Sequence, residues 1–153
     1  MNKNIEKALN KQIAMEGHAH YLYLSMASYF EVNAMEGIAE FFYVQAEEEK
    51  MHMMKLFRYV NEMDGHALVP SIEQPAHDFG EVLSTFKLVY EQEKKVTASI
   101  NEIVELATIE KDHGTYNFLQ WFVKEQVEEE ATASEVVHKL KLAGDGSGLF
   151  MLD

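Results

Sequence analysis

Glu49 and His52 are the residues of this chain best placed to do chemistry. They lie three apart in Gln45-Ala46-Glu47-Glu48-Glu49-Lys50-Met51-His52-Met53-Met54. On a helix, residues three apart are neighbours whose side chains can reach one point. Counting outward by threes and fours gives Ile38, Phe41 or Phe42, Gln45, Leu56, Tyr59 and Met63. That is an apolar stripe of helical period, interrupted by a carboxylate and an imidazole. A buried carboxylate is costly unless something positive pairs with it. Lys50 is adjacent in sequence but turned about 100° away on a helix. A metal ion fits better.

Three further stripes carry acid near their middle. The first reads Ile5, Leu9, Gln12, Glu16, His20, Tyr23, Ala27 and Phe30; a third carries Phe86, Val89 or Tyr90, Glu93, Val96 or Thr97, Ile100, Val104 and Ala107. The fourth carries Leu119, Phe122, Gln126, Glu129, Ala133, Val136 and Leu140. Glu16, Glu49 and His52 recur as Glu93, Gln126 and Glu129, each displaced by the same 77 residues (93 − 16, 126 − 49, 129 − 52). Two helical hairpins thus read as pseudo-repeats, and folding one against the other brings Glu16, Glu49, His52, Glu93 and Glu129 to one level, with Gln126 beside them. Four carboxylates, one imidazole and no buried cation form an oxygen-rich set that suits iron or manganese, with zinc able to compete. Without metal, some of these acids should be protonated, because close like charges raise each other's pKa. A carboxylate pointing between two halves can bridge two ions, and Glu49 is the natural bridge.

The elements that must position these residues are four long helices. The first is expected from near Asn4 to Val32 and the second from about Met35 to Met63, the short break at Asn33-Ala34 making them antiparallel. Gly65 is suited to a C-cap. His66 to His77 holds Pro70 and Pro75 and no helical pattern. Extended, such a connection covers roughly 40 Å, close to the length of a helix of about thirty residues. It can therefore return along the bundle. The predicted fold is all-α, an antiparallel four-helix bundle with one long crossover between the second and third helices. Asp78 with Glu81 three later reads as a capping-box variant opening the third helix, and Asp112-His113-Gly114 marks the next turn. Residues 1–143 form the bundle; 144–153 are an apolar tail, a truncated or residual fifth helix.

Composition narrows the partners. At 153 residues with 47% hydrophobic residues, the chain can fill one core. It has no cysteine, which excludes disulfides, thiolate sites and cysteine nucleophiles. A net charge of −13 argues against nucleic acid and suits cations or simple solubility. No run approaches the ~18 apolar residues that span a membrane, and Met1 to Glu6 lacks the core of a signal peptide. A cytoplasmic protein is the default.

At this point a family resemblance becomes specific. One Glu from each of two helices, with Glu-x-x-His motifs on the other two, is the established constellation of ferritin-like di-iron proteins. The chain resembles a bacterial non-haem ferritin over essentially its whole length. The stretches that carry the likeness are Tyr21-Leu22-Tyr23-Leu24, Glu36-Gly37-Ile38-Ala39-Glu40-Phe41-Phe42, Glu47-Glu48-Glu49-Lys50-Met51-His52 and Phe118-Leu119-Gln120-Trp121-Phe122-Val123-Lys124-Glu125-Gln126. The resemblance implies that Glu16, Glu49 and His52 hold one iron, and Glu49, Glu93 and Glu129 a second, with Gln126 nearby. It implies a third iron site at Glu48 and Glu125, with Glu128 a further candidate, and an electron-relay role for Tyr23 and Trp121. It implies oxidation of Fe(II) by O2 or H2O2 and storage of ferric mineral in a homo-oligomeric shell of twenty-four subunits.

The chain also departs from its relatives. It has Gln126-x-x-Glu129 where bacterioferritins and rubrerythrins resemble a second Glu-x-x-His. Lys50 stands where a haem-binding bacterioferritin would place methionine, so haem is not expected. The absence of cysteine leaves no rubredoxin-like site, and the chain stops where many relatives continue into a short fifth helix.

Plainer readings stand beside these. Glu49 and His52 could be a satisfied polar pair in a core. His20, one turn beyond Glu16, is either an extra ligand or a core-edge imidazole; His18, His66, His77, His113 and His138 belong on the surface. Met51, Met53 and Met54 suit packing, and Tyr23 and Trp121 are core aromatics first. Two other functions remain open: a peroxide-reducing di-iron oxidase without storage, and a non-catalytic helical bundle that binds divalent ions structurally.

Overall fold

A computed structural model describes residues 1–144 and 146–153. The helices are α1 (Lys3–Val32), α2 (Glu36–Glu62), α3 (Val82–Ile109), α4 (His113–Ala143) and α5 (Ser147–Leu152). They fall into two compact units, Met1–Phe79 with Asp153, and Gly80–Leu152. Each is built on a helical hairpin. None of the described helices is long and apolar enough to cross a membrane.

In the first unit Asn2 caps α1, its side-chain oxygen accepting from the N–H groups of Asn4 (2.8 Å) and Ile5 (3.1 Å). The buried face of α1 is Ile5, Leu9, Gln12, Ile13, Glu16, Tyr23, Met26, Ala27 and Phe30. That of α2 is Ile38, Ala39, Phe42, Ala46, Glu49, His52, Leu56 and Val60. Phe42 is the inward member of the Phe41/Phe42 pair and stacks on Phe30, ring centres 5.8 Å apart. Gln45 and Tyr59 are only half-buried and Met63 is exposed. The inward stripe passes through Ala46 and Val60 instead, because a helix drifts about 20° from any strict seven-residue repeat.

The connection after α2 runs beside α1 in the same direction. His66 carbonyl accepts from Asn10, Ile72 and Pro70 lie against Gly17, Ser25 donates to Ala76 carbonyl at 2.6 Å, and Phe79 meets Tyr29 edge to face. A Cβ on Gly17 would come within 2.9 Å of Ile72 Cδ1, so the glycine makes room for this strap. α2 has no side-chain cap of its own, and the Asp153 carboxylate accepts from Ile38 N–H at 2.8 Å.

In the second unit α3 does not open on Asp78. That residue is exposed, Gly80 turns the chain at φ +70°, and the helix starts at Val82 with Glu81 as N-cap. The hydroxyls of Ser84 and Thr85 both donate to Glu81 carbonyl, both at 2.9 Å, so local side-chain bonding set this end rather than a capping box. Asp112 caps α4 through Thr115, and the helix runs straight through Gly114.

Three helix ends share one device. Ala34, Asp64 and Lys111 take left-handed φ values of 60°, 62° and 56°. Each is followed by an N–H that reaches back across the turn, from Met35 to Phe30, Gly65 to Val60 and Asp112 to Ala107, all at 2.9 Å. This is the Schellman closure, normally made with glycine. Gly65, expected as the C-cap, lies one residue beyond the left-handed position, which Asp64 fills. A left-handed non-glycine residue costs roughly 1–2 kcal/mol, partly regained through the stiffer unfolded chain. Replacing exposed Lys111 or Ala34 by glycine should therefore stabilise the protein by about 0.5–1 kcal/mol. Thermal denaturation of each variant checks this; a lowered melting temperature would contradict it.

Candidate metal centre

In the first unit the fold gathers Glu16 from α1 with Glu49 and His52 from α2. One ligand-type atom from each lies within 4.8 Å of the others, and all three residues are buried. His52 Nδ1 is 3.4 Å from a Glu49 oxygen and 4.0 Å from Glu16 Oε2. Gln12, one turn before Glu16 and fully buried, donates Nε2–H to Glu16 Oε1 at 3.1 Å. The other oxygen, Oε2, is buried with no hydrogen-bond partner. Burial, followed by the proximity of Glu49, pushes the Glu16 carboxyl well above the ordinary value of 4.5; His52 and Gln12 offset this only in part. Two carboxylates and an imidazole turned toward one point, one of them with an orphaned oxygen, are a donor set that fits a hard or borderline divalent cation.

The second unit holds the matching positions. Glu93 on α3 and Glu129 and Gln126 on α4 are buried. Gln126 Nε2 lies 3.1 Å from both the backbone carbonyl and Oε2 of Glu93, and 3.2 Å from Thr97 Oγ1. Thr97 itself donates to Glu93 carbonyl at 3.0 Å. The Gln126 amide nitrogen is thus turned to Glu93, and within its own hairpin Gln126 acts as a positioning residue for that carboxylate.

The remaining predicted residues divide by exposure. Tyr23 is buried against Phe42, and Trp121 is half-buried with its ring edge-on to Phe122, 4.9 Å between centres. Glu48 and Glu125 are half-buried and Glu128 is exposed, as their rotation off the buried stripes requires. His20 is a core-edge imidazole whose Nδ1 meets Ala46 carbonyl at 2.6 Å, tying α1 to α2 one turn from the ligand pair. His18, His66, His77, His113 and His138 are exposed. Sequence reasoning gave no role to Gln12 or Thr97. A buried amide four residues before Glu16 was the available signal for the first; a threonine four residues after Glu93 was the signal for the second.

A sequence profile described as the ferritin-like domain matches residues 6–143. The chain belongs to the ferritin-like family. Among curated relatives, a bacterial non-heme ferritin of Campylobacter jejuni is 43% identical, covering 100% of this chain and 92% of its own length. A probable bacterial non-heme ferritin-like protein of Haemophilus influenzae is 42% identical, with 100% and 93% coverage. Among solved structures, an open pore ferritin from the archaeon Archaeoglobus fulgidus superposes with a TM-score of 0.97 at 46% identity, covering 99% of this chain and 94% of that one. A Chlorobium tepidum ferritin gives 0.92 at 38% identity, with 99% and 93% coverage. The fold class is therefore the ferritin-like four-helix bundle that the crossover and the helical stripes predicted.

Glu16 supplies a direct test of the electrostatics of the ferritin centre. Because its folded pKa is raised, the folded state holds a proton that the unfolded state releases. Metal-free stability from this group is full below about pH 4.5 and is lost as pH rises through the folded value. Glu16→Gln removes the penalty, and at pH 7.5 the chelator-treated variant should be more stable than wild type by about 1–3 kcal/mol. The gain should shrink as pH falls toward 5. Melting curves across that range decide it; a variant less stable at pH 7.5 would contradict the assignment.

Proposed function

We propose that this ferritin binds two Fe(II) ions at one intrasubunit centre, oxidises them with O2 or H2O2, and passes the Fe(III) to a mineral store inside a homo-oligomeric shell. The observation that carries the reading is the buried Glu16, Glu49 and His52 cluster with its orphaned carboxylate oxygen. Family membership supports iron as the ion and storage as its fate. In this reading Glu16, Glu49 and His52 hold the first iron; Glu49 bridges to the second, which Glu93 and Glu129 complete. Gln12 and Gln126 hold one carboxylate each in orientation. The iron is substrate: two Fe(II) give up two electrons, reducing O2 to H2O2 or H2O2 to water. Clustered carboxylates favour the higher charge of the product, since anionic oxygen ligands stabilise Fe(III) over Fe(II). In this reading Tyr23 and Trp121 supply or relay electrons, and a cytoplasmic twenty-four-subunit assembly is the form proposed for storage.

Glu49→Ala removes the ligand assigned to both ions and should lower the initial rate of Fe(II) oxidation by about a hundredfold, the upper end of the loss when a supporting metal-site group is removed. Stopped-flow absorbance with two Fe(II) per subunit measures it. Retention of the wild-type rate would remove the bridge, and a monomer or dimer on size-exclusion chromatography would remove the store.

Glu48, Glu125 and Glu128 are proposed to form a third iron site through which product leaves or substrate enters. Replacing Glu48 and Glu125 together by glutamine keeps size and helix propensity while removing charge. The first two irons per subunit should then oxidise almost normally, with later additions changed in rate or stoichiometry. Wild-type progress curves over repeated additions would make these two residues surface acids.

A further inference from the structure

The second unit carries a feature that the iron chemistry does not use. A groove of about 550 Å³ lies between α3 and α4, lined by Lys87 and Tyr90 from α3 and by Ser134, Val137, His138 and Lys141 from α4. These are helical neighbours on each side: positions 87, 90 and 91 on α3, and 134, 137, 138 and 141 on α4, each spaced by threes and fours. The groove is within the size range of small-molecule sites.

Its charge runs against that of the chain. The protein carries a net charge of −13. On the same two helices Lys94 meets Glu91 at 2.9 Å and Lys139 meets Glu135 at 3.1 Å. Lys87 and Lys141 have no such partner among the described residues. Both face the groove. The one acid lining it, Glu91, is already offset by Lys94, whose ammonium also lies over the Tyr90 ring at 4.7 Å. What the groove offers a ligand is two ammonium groups, an imidazole N–H, and the hydroxyls of Ser134 and Tyr90, with Val137 as an apolar contact. The two ammonium groups donate only, while the imidazole and the hydroxyls can donate as well as accept.

We propose that the groove between α3 and α4, framed by Lys87 and Lys141, is a binding site for a small multiply charged oxyanion, either inorganic phosphate or a polycarboxylate. Donors converging from two helices favour a ligand with several acceptor oxygens, since one acceptor could satisfy only one or two of them. Lysine suits such a ligand as a point charge that adapts to different oxyanion geometries. Oxyanions of this kind are also good ligands for Fe(III), a hard cation, so the site would hold next to this protein a species that shares its cargo's chemistry. The proposal does not depend on the di-iron reading.

The test is calorimetric titration of the metal-free, full-length assembled protein with inorganic phosphate and, separately, with tricarballylate. An ionic strength of about 0.15 M screens diffuse attraction beyond roughly 8 Å. Saturable binding of either probe at one site per subunit is expected; phosphate alone identifies an inorganic ligand and tricarballylate alone a polycarboxylate. K87Q/K141Q should weaken binding by about tenfold or more. The charge-matched control K95Q/K139Q, with both positions outside the groove lining, should stay within about twofold. Thermal melts confirm that both variants are folded, as exposed lysine substitutions should be. Absence of saturable binding by both probes, or equal weakening in the control, overturns the site.

Discussion

The structure depends on burying carboxylates in a helical core. An ionised carboxylate taken out of water without a partner carries a penalty of several kcal/mol or more, and Glu16, Glu49, Glu93 and Glu129 are all at most 9% exposed. Neutralising such a layer with lysine or arginine would give a stable core that could not turn over a metal. Here, beside the His52 imidazole, two neutral amides serve as partners. Gln12 donates to Glu16, and Gln126 donates to Glu93. Each orients a carboxylate without cancelling its charge. The strain that remains is visible at Glu16, where burial raises the pKa and one oxygen has no donor. A cation bound there would relieve that strain, and its binding would add stability that the metal-free fold lacks.

The two hairpins are related by internal repetition, yet their polar positions have diverged. Glu49 in the first corresponds to Gln126 in the second, and His52 to Glu129. The first hairpin alone supplies two carboxylates and an imidazole around one point. In the second, the position equivalent to Glu49 is an amide donor, turned back onto Glu93. Asymmetry between the halves thus lies in residue type at equivalent helical positions.

Much of this was legible because it rests on period and spacing. The displacement of 77 residues, the acid in each stripe and the length of the His66–His77 segment are one-dimensional facts, and the helical bundle can be read from them. The parts that were not legible depend on neighbours in space. Ala46 and Val60 replaced Gln45, Tyr59 and Met63 on the buried face, since a stripe counted outward for several turns accumulates angular error and small residues are easily passed over. The start of α3 was misplaced because the Ser84 and Thr85 hydroxyls compete for the Glu81 carbonyl. The spacing of His20 suits either a ligand or a core-edge imidazole, and only the Ala46 carbonyl opposite its ring separates the two. The left-handed residues Ala34, Asp64 and Lys111 carry no glycine to announce them.

Whether these carboxylates form a centre for two ions is best decided by anomalous scattering from crystals loaded anaerobically with Fe(II), collected on both sides of the iron absorption edge. Two iron peaks are expected in every subunit, one ligated by Glu16, Glu49 and His52 and the other by Glu49, Glu93 and Glu129, with Glu49 common to both. No iron among these five residues, or a single ion that leaves Glu93 and Glu129 unligated, would contradict it.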